Sequence, residues 1–373
     1  MKLSDITSVK DRRAFISQQT KSSLSAIERA MVDQEVDIHC ENLIGSTTIP
    51  LGVAGPLPLV GDDINGSYYV PLATTEGALV ASVNRGARAL AESGGARVYV
   101  YKTGTTRGPV FYTQTIDRGQ EFISWLQEHL DELIAEAESS SSHLKLINVE
   151  GKLIGSYVYV RFYFDTEEAM GMNMATIATE KMVAYIAKHA KIPCIAVAGN
   201  FDVDKKPAWL NSIYGRGHQA WADVVVGEKV LSSVLKTKAQ PLFDTWLAKC
   251  MIGSAVAGSM SYNAHHANVV AAIYAATGQD MAHVVEGSLG MTTMRVVNGK
   301  DLYVSVYLPA LMLGVVGGGT KLATKKEALS IMNINTVAEL AHVVAASVLA
   351  GELSLLASLT EGSLGSVHKK LGR

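Results

Sequence analysis

The stretch Ile192-Pro193-Cys194-Ile195-Ala196-Val197-Ala198-Gly199 runs directly into Asn200-Phe201-Asp202-Val203-Asp204-Lys205-Lys206-Pro207, and the rest of the chain is organised around these two segments. The first is typical of a buried strand, so the polar second segment is expected at a sheet edge, facing a cleft. Lys205 and Lys206, beside Asp204 and before a rigid proline, form a concentrated positive site. Such a site suits a carboxylate substrate or a carbonyl oxygen that becomes negative during reaction. A solvated surface turn is the alternative, because Lys-Lys-Pro is common in turns.

Upstream of this stretch, six alternating elements predict a small α+β unit. They are a strand at 110–115, a helix at 121–138, strands at 144–149 and 157–164, a helix at 173–188 and a strand at 192–198. The order βαββαβ is that of a ferredoxin-like split unit. No new independent pattern starts after it, so the unit is predicted to be inserted in a larger domain.

The flanking segments predict a larger domain built on apolar helices. Thr75 can cap a helix that runs to about Ser93, with Glu76 in its first turn favoured by the helix dipole. The stretch Met251–Thr277 is rich in small residues and is predicted to be the central helix. The predicted fold class is therefore α+β, with a large domain around a central apolar helix and an inserted ferredoxin-like small domain.

The chain of 373 residues is long enough for one to three domains. The predicted parts are an N-terminal helical segment (1–40), a large domain (41–108 and 209–373), a small domain (109–195) and a connecting loop (196–208).

Composition and charge exclude several classes of function. The net charge of −2 argues against a nucleic-acid-binding surface. Apolar residues make up 48% of the chain, so a large core is expected, part of it at a subunit interface. Cys40, Cys194 and Cys250 form no CxxC pair, which predicts reduced thiols in a cytoplasmic protein.

No membrane segment is predicted. Residues 1–5 lack the apolar core of a signal peptide. The most apolar long stretch, Val337–Leu359, is interrupted by Glu339, His342 and Glu352, which favours a buried helix over a membrane span.

Two features could bind phosphate groups. The glycine loop Gly314–Thr320 precedes a helix, and its backbone N–H groups could cradle a phosphate, although such loops are also ordinary turns. Arg85 and Arg88 share a helix face and could meet phosphates or be surface charges. No GxGxxG follows a strand, so an ordinary Rossmann site is not predicted. A metal site is not predicted either, because no HExxH occurs and the adjacent His265 and His266 point to different helix faces.

Several segments, taken in order, make the chain similar to one enzyme family. They are Glu41–Gly45, Thr74–Ser82, Asn84–Gly86, Thr106–Pro109, Ala169–Met174, Asp204–Pro207, Gly278–Asp280, Val316–Thr320 and Gly351–Leu355. On these motifs the chain from Glu41 onward resembles class I hydroxymethylglutaryl-CoA (HMG-CoA) reductase of the archaeal and bacterial, membrane-free type. The resemblance implies four-electron reduction of HMG-CoA to mevalonate and free coenzyme A with two NADPH, NADH being possible.

By this resemblance the catalytic residues are Glu76, Lys205, Asp280 and His368. Lys205 would stabilise the oxyanion formed by hydride attack on the thioester carbonyl. Asp280 would hold that lysine charged and link it to Glu76, which would donate a proton to the mevaldehyde oxygen. His368 would protonate the departing coenzyme A thiolate.

The resemblance also implies two binding sets and an assembly. The substrate-binding residues are Arg107, Asp204, Lys206, Lys249, Asn268, Ser82, Asn84, Arg85 and Arg88. The cofactor-binding residues are Ser141, Ser142, His143, Glu168, Met170, Gly171, Met172, Asn173, Val316, Gly317, Gly318 and Gly319. A homodimer or higher homo-oligomer with active sites at the subunit interface is expected, because residues 41–45 resemble the family's dimer segment.

The chain departs from the family pattern at three places. Glu168 stands where aspartate is usual, and Val367 where serine is common. The segment 141–143, Ser-Ser-His, replaces an arginine that some members use for the cofactor 2′-phosphate, which weakens the prediction of NADPH over NADH.

Two other functions remain open. A lysine-dependent lyase would form a Schiff base at Lys205 and would not use nicotinamide. A catalytically silent homologue would act as a binding module, although the chain keeps all four polar catalytic positions.

Overall fold

The computed structural model describes residues 6, 8–20, 25 and 40–362 of the chain. Its strands are β1 (Leu51–Val60), β2 (Asn65–Ala73), β3 (Ala96–Arg107), β4 (Val110–Tyr112), β5 (Lys145–Ile154), β6 (Tyr157–Asp165), β7 (Cys194–Ala196), β8 (Gly217–Val226), β9 (Met291–Val297) and β10 (Asp301–Leu311).

The α-helices in these residues are α1 (Val9–Thr20), α2 (Leu79–Glu92), α3 (Ile116–Glu128), α4 (Leu130–Glu138), α5 (Met172–His189), α6 (Trp209–Tyr214), α7 (Glu228–Ser233), α8 (Ala239–Trp246), α9 (Ser254–Ala257), α10 (His266–Thr277), α11 (Val284–Gly287), α12 (Ala323–Met332) and α13 (Val337–Thr360). A π-helical turn spans Leu247–Gly253, and 3-10 turns span Met281–His283 and Gly318–Lys321. The remainder of the predicted N-terminal segment lies outside the described residues, as do Val367 and His368.

One strand joins the two halves of the molecule. The sheet has the order β7-β4-β6-β3-β8-β10-β9, with β1 beside β3 and β5 beside β6. Residues 97–104 of β3 pair with β8, whereas residues 105–107 pair with β6. Gly104 lies where the pairing changes and has a φ of +96°, a conformation that glycine adopts most easily. The C-terminal end of β3, which carries Arg107, therefore lies at the junction of the two halves.

The smaller half has the predicted ferredoxin-like arrangement. Strands β7, β4, β6 and β5 are neighbours in that order, and each pairing is antiparallel. Phe111, Phe122, Phe162 and Phe164 lie in a core shared by the sheet and its helices. The structure confirms the predicted α+β fold class. The domain boundaries given above remain a prediction.

Several details of the small half differ from the prediction. The last strand, expected to be buried at 192–198, spans only Cys194–Ala196, and Ile195 in it is 57% exposed. The helix expected at 121–138 is two helices, α3 and α4, separated at His129, whose ring stacks on Trp125 at 4.2 Å between centroids. The first strand ends at Tyr112, because Gln114 takes a φ of +69° and Thr115 caps α3. Local hydrophobic spacing did not mark either break.

The central helix of the larger half is α13, and the predicted position Met251–Thr277 is wrong. Thr336 caps α13 by accepting from the Glu339 backbone N–H, and the Glu339 side chain accepts from the Thr336 backbone N–H. This helix is long and apolar enough to cross a membrane, but 94% of its most apolar 18-residue window is buried inside the protein. It is therefore the core helix that the polar interruptions of Val337–Leu359 indicated.

The chain between Met251 and Thr277 is broken instead. Gly258 has a left-handed φ of +66° and ends α9, and the chain becomes helical again only at His266. Val256 is 84% exposed, so the α9 part of this segment is on the surface, whereas α10 is largely buried. Small side chains permit close packing but do not require a continuous helix, which explains the wrong assignment.

Candidate active site

The loop after β7 is held in an unusual backbone conformation. Asn200, Val203 and Lys205 have φ values of +65°, +53° and +55°. Left-handed backbone costs roughly 1–2 kcal/mol for a residue with a Cβ, and a β-branched residue such as Val203 is a true outlier. The Asn211 side-chain amide donates to the Val203 carbonyl at 3.3 Å and helps to hold this form. Strain of this kind persists only where surrounding contacts impose it, and it is concentrated at functional sites.

Lys205 and Asp280 form an ion pair at the surface of this loop. Lys205 Nζ lies 2.7 Å from Asp280 Oδ2. Asp280 follows Gly278, whose left-handed φ of +76° ends α10, and its other oxygen accepts from the Ala282 N–H at 3.0 Å. Burial alone would raise the pKa of Asp280, but the hydrogen bonds from Lys205 and Ala282 and the nearby His283 together lower it. The pair therefore presents an ammonium group beside an ionised carboxylate.

Glu76 lies at the opposite end of α10. Its Oε2 accepts from Asn268 Nδ2 at 2.7 Å, and Asn268 is in the first turn of that helix. Asn268 and Asp280 are separated by the length of α10, roughly 15 Å at a rise of about 1.5 Å per residue. Within one copy of the chain, the structure thus brings Lys205 to Asp280 but leaves Glu76 at a distance from both.

The buried side chain of Glu352 fixes the turn that precedes α10. This fully buried carboxylate accepts from the backbone N–H groups of Ala264 and His265 at 2.9 and 2.7 Å. Burial would raise its pKa, but the nearby His266 and His265 and its hydrogen bonds lower it. Glu352 thereby holds the turn that precedes Asn268.

A cavity beside Glu76 collects part of the predicted substrate set. Its lining residues are Glu76, Gly77, Ala78, Leu79, Ala81, Ser82, Arg85, His265, Asn268, Ser354, Leu355 and Ser358. Ser82 and Arg85 both bond the Ser354 hydroxyl at 3.0 Å, and Arg85 also pairs with Glu361 at 2.9 Å. A second cavity continues over Asn84 and Arg88 to Lys236. These cavities give one elongated groove along α2 that carries Arg85 and Arg88, each paired with a carboxylate.

The structure brings only some of the predicted substrate-binding residues Arg107, Asp204, Lys206 and Lys249 together. Arg107 Nη1 lies 3.2 Å from Asp202 Oδ2 and 3.8 Å from Asp204 Oδ2, so it is already paired beneath the loop. Lys206 is exposed and donates to the Asp204 carbonyl at 3.3 Å. Lys249 lies on the π-helical turn and is exposed.

The predicted cofactor segments lie against each other near Asp280. Ala169 forms a parallel bridge with Val316, and the Glu168 carbonyl accepts from the backbone N–H groups of Val315 and Val316. Glu168 also accepts from the Val337 N–H at 2.6 Å, which joins the methionine turn (Ala169–Met174) to the start of α13. The glycine loop touches the Gly278 turn, since a Cβ on Gly319 would lie 2.5 Å from the Gly278 carbonyl oxygen.

The glycine loop fits a phosphate-bearing cofactor. Gly317 and Gly318 have φ values of +78° and +51°, and a Cβ on either would meet nothing within 4 Å. Open space therefore adjoins both residues at the start of a 3-10 turn. Backbone N–H groups in such a turn can bind a pyrophosphate group without a side chain.

Comparison with known proteins decides the family. The model of the hydroxymethylglutaryl-coenzyme A reductase family matches residues 8–373. The chain belongs to this family. A 3-hydroxy-3-methylglutaryl-coenzyme A reductase of Methanothermobacter thermautotrophicus is 46% identical over 371 residues, covering 98% of this chain and 93% of the relative. The reductase of Aeropyrum pernix is 43% identical over 374 residues, covering 97% and 89%.

A solved structure supports the fold of this reductase-family chain. A class II reductase from Streptococcus pneumoniae, described as bound to NADPH in open conformations, superposes with a TM-score of 0.72. It covers 95% of this chain and 97% of its own, at 17% identity. At that identity the likeness bears on the fold alone.

His143 already has a carboxylate partner. Its Nδ1 lies 2.7 Å from Glu167 Oε2, and both side chains are mostly exposed. Ser141 Oγ lies 3.7 Å from the Met174 sulfur, so residues 141–143 adjoin the methionine turn and α5. The reductase-family chain thus places this segment at the edge of the candidate cofactor surface.

Sequence reasoning missed a buried charged cluster under the loop after β7 (200–207), called the lysine loop below. Arg216, His283 and Glu286 are each fully buried. Arg216 pairs with Glu286 at 2.6 Å and with Asp204 at 3.0 Å, and His283 Nδ1 lies 2.7 Å from Glu286 Oε1. The only sequence signals were an arginine between two glycines, Gly215 and Gly217, and acidic and histidine residues three apart after Asp280. Neither signal shows burial.

The cluster includes three potential metal ligands. The ligand atoms of Asp204, His283 and Glu286 lie within 4.8 Å of one another in the described part of the chain. The Arg216 guanidinium lies 3.0 and 2.6 Å from the first and third of these residues. The Arg216 guanidinium therefore pairs with both carboxylates, and its positive charge disfavours a metal ion beside it.

Proposed function

We propose that the chain is a class I HMG-CoA reductase of the membrane-free archaeal and bacterial type, acting in the cytoplasm without a metal. It would reduce HMG-CoA to mevalonate and free coenzyme A, a step of isoprenoid synthesis. The supporting observation is the Lys205–Asp280 ion pair on a strained loop, beside two turns suited to a nicotinamide cofactor. The full-length likeness to reductases at 41–46% identity supports the same reaction.

The residues divide the reaction between them. The methionine turn and the glycine loop would hold NAD(P)H, which would supply the hydride in both halves of the reaction. Lys205 lies where it can stabilise the thioester oxyanion and later the aldehyde oxygen, while Asp280 keeps its ammonium oriented. Glu76 donates the proton to the aldehyde oxygen, and Asn268 orients its carboxyl group. The groove with Ser82, Asn84, Arg85 and Arg88 binds coenzyme A, and Arg107, Lys206 and Lys249 bind the free carboxylate of the substrate.

Absorbance at the nicotinamide band tests this function. Purified protein with HMG-CoA should oxidise NADPH or NADH, and omission of HMG-CoA should stop the reaction. A Schiff-base lyase would instead be trapped by borohydride. The ion pair of Lys205 speaks against that alternative, since Schiff-base formation needs a neutral amine. A silent homologue would bind HMG-CoA without oxidising either cofactor.

Separation of Glu76 from Lys205 supports an active site shared between two copies. Tyr99 and Tyr101 on β3 are 56% and 63% exposed. The monomer therefore leaves an apolar sheet surface that a second copy could cover. We propose a homodimer, or a higher oligomer built from it, in which one copy supplies Glu76 and Asn268 and its partner supplies Lys205 and Asp280.

Mixing two inactive variants should restore activity. Glu76→Gln and Lys205→Ala chains, co-expressed in equal amounts, should regain roughly a quarter of the wild-type activity, because half of the dimers are mixed and each has one intact site. Light scattering should show at least a dimer at assay concentration. If activity did not recover, the Glu76 and Lys205 of one active site would have to come from the same copy. An active monomer would exclude the shared site.

NADPH is the proposed cofactor, and residues 141–143 are proposed to meet its 2′-phosphate. The His143 ring can donate a hydrogen bond to phosphate, as its Nδ1 does to Glu167 Oε2 in the structure. His143→Ala should raise the KM for NADPH and leave the KM for NADH unchanged, as measured by initial rates. Equal effects on both cofactors would remove His143 from the site.

His368 is proposed to protonate the coenzyme A thiolate, a need that exists only in the first half of the reaction. A histidine side chain, whose pKa is ordinarily near ~6.5, can supply that proton near neutrality. His368→Gln should slow HMG-CoA reduction strongly and largely spare reduction of added mevaldehyde, with both rates measured on one preparation. Equal losses would indicate a general binding role, and no loss would indicate no role.

A further inference from the structure

The carboxylate of Glu286 contacts both the lysine loop and the buried charges beneath it. Its Oε1 accepts from the backbone N–H of Lys205 at 3.2 Å. The same oxygen accepts from Arg216 Nη1 at 2.6 Å and from His283 Nδ1 at 2.7 Å. All three buried side chains have no measurable exposure, so solvent cannot replace these donors.

The bond to Lys205 falls where the backbone needs support. Lys205 has a φ of +55°, and its peptide N–H points into the protein toward Glu286 while its ammonium group reaches Asp280. If the peptide relaxed to an ordinary conformation, the side chain would leave in a different direction. A buried acceptor on this N–H therefore determines where the ammonium group lies.

The cluster also fixes both neighbours of the lysine. Arg216 links Glu286 to Asp204, the residue that precedes Lys205. His283 lies between Glu286 and Asp280, with Nδ1 2.7 Å from Glu286 Oε1 and Nε2 3.7 Å from Asp280 Oδ2. Backbone, preceding side chain and ion-pair partner of Lys205 are thus tied to one buried group.

We propose that Glu286 is a positioning residue that sets the direction of the Lys205 ammonium group through its backbone N–H. This inference rests on the proposed function of Lys205 in oxyanion stabilisation. The Arg216–Glu286 pair alone would be compatible with a purely structural role, because buried ion pairs often add little net stability. A purely structural ion pair would not need the further hydrogen bond that Glu286 accepts from the backbone N–H of Lys205, a residue with a left-handed φ.

A double-mutant cycle distinguishes positioning from general stabilisation. Glu286→Gln keeps the size of the side chain but removes its charge. In the wild-type background it should lower kcat by about tenfold or more, because misplacing a catalytic group is costly, while the KM for HMG-CoA changes by less than about threefold. In the Lys205→Ala background the same change should lower kcat by less than about twofold, because the group it positions is gone. Glu228→Gln, at an exposed pair with Lys300, is the matched control and should leave kcat unchanged.

The outcomes separate this inference from the function on which it rests. If the losses from Lys205→Ala and Glu286→Gln multiply, Glu286 does not act through the lysine and the inference is wrong. If Lys205→Ala itself turns over normally, the proposed role of Lys205 fails first. Thermal unfolding should show that each variant is folded. Should Glu286→Gln fail to fold, His283→Leu, which removes one donor from the same oxygen, takes its place in the cycle under the same criteria.

Discussion

Lys205→Ala is expected to leave a folded protein whose turnover of HMG-CoA falls by about a hundredfold or more. The change removes the ammonium group that pairs with Asp280 but keeps the backbone N–H that bonds Glu286. Loss of one oxyanion partner in a preorganised site has this order of effect, since nothing else supplies the charge at the moment of reaction. The measurement is steady-state oxidation of NADPH at saturating HMG-CoA.

Lys206→Ala is the natural comparison for that experiment. Lys206 is adjacent in sequence but exposed, and its ammonium group contacts only the Asp204 carbonyl among the described residues. Its loss should raise the KM for HMG-CoA with a smaller effect on kcat, because it is proposed to bind the substrate carboxylate. Near-normal turnover of purified Lys205→Ala protein would refute the assignment of the oxyanion partner.

Gly86→Ala is expected to destabilise the protein by more than about 3 kcal/mol or to prevent folding, which exceeds the usual cost of overpacking. Gly86 lies on α2 where it crosses α13, and an added Cβ would lie 1.9 Å from the Ala350 carbonyl oxygen. The obstacle is backbone, so no side-chain rotation can relieve it and the two helices would have to separate. Urea unfolding followed by circular dichroism measures the change.

Gly253→Ala provides the matched control for Gly86→Ala. Gly253 is also helical, but an added Cβ there would meet only the Ala248 carbonyl oxygen at 3.1 Å. We expect a change in the free energy of unfolding of less than about 1 kcal/mol. Equal stability of the two variants would contradict the close approach of α2 to α13.

The sequence is informative about the fold where a regular period meets clear punctuation. The small half follows from alternating strands and amphipathic helices, although the break at His129 carries no turn signal. The prediction of a central helix at Met251–Thr277 fails because composition describes what can be packed, not which segment is buried. The longer and continuous α13 is the buried central helix, and one glycine in a left-handed conformation, Gly258, interrupts the other candidate.

The site is predictable only in part. The sequence points to the segment Asp204–Pro207 and to Asp280, and the structure brings Lys205 and Asp280 to 2.7 Å. The distance of Glu76 from that pair could not be predicted, because it depends on which end of α10 each residue occupies. The buried Arg216–Glu286 pair was also out of reach, since charged residues in a sequence are ordinarily interpreted as surface.

The stoichiometry of the reaction tests the central claim most directly. Oxidation of NADPH and release of the coenzyme A thiol should be measured in one reaction with limiting HMG-CoA and carried to completion. A four-electron reduction to mevalonate predicts two NADPH oxidised for each thiol released. Thiol release without oxidation of either nicotinamide cofactor, or no release with a folded protein, would contradict the proposed function.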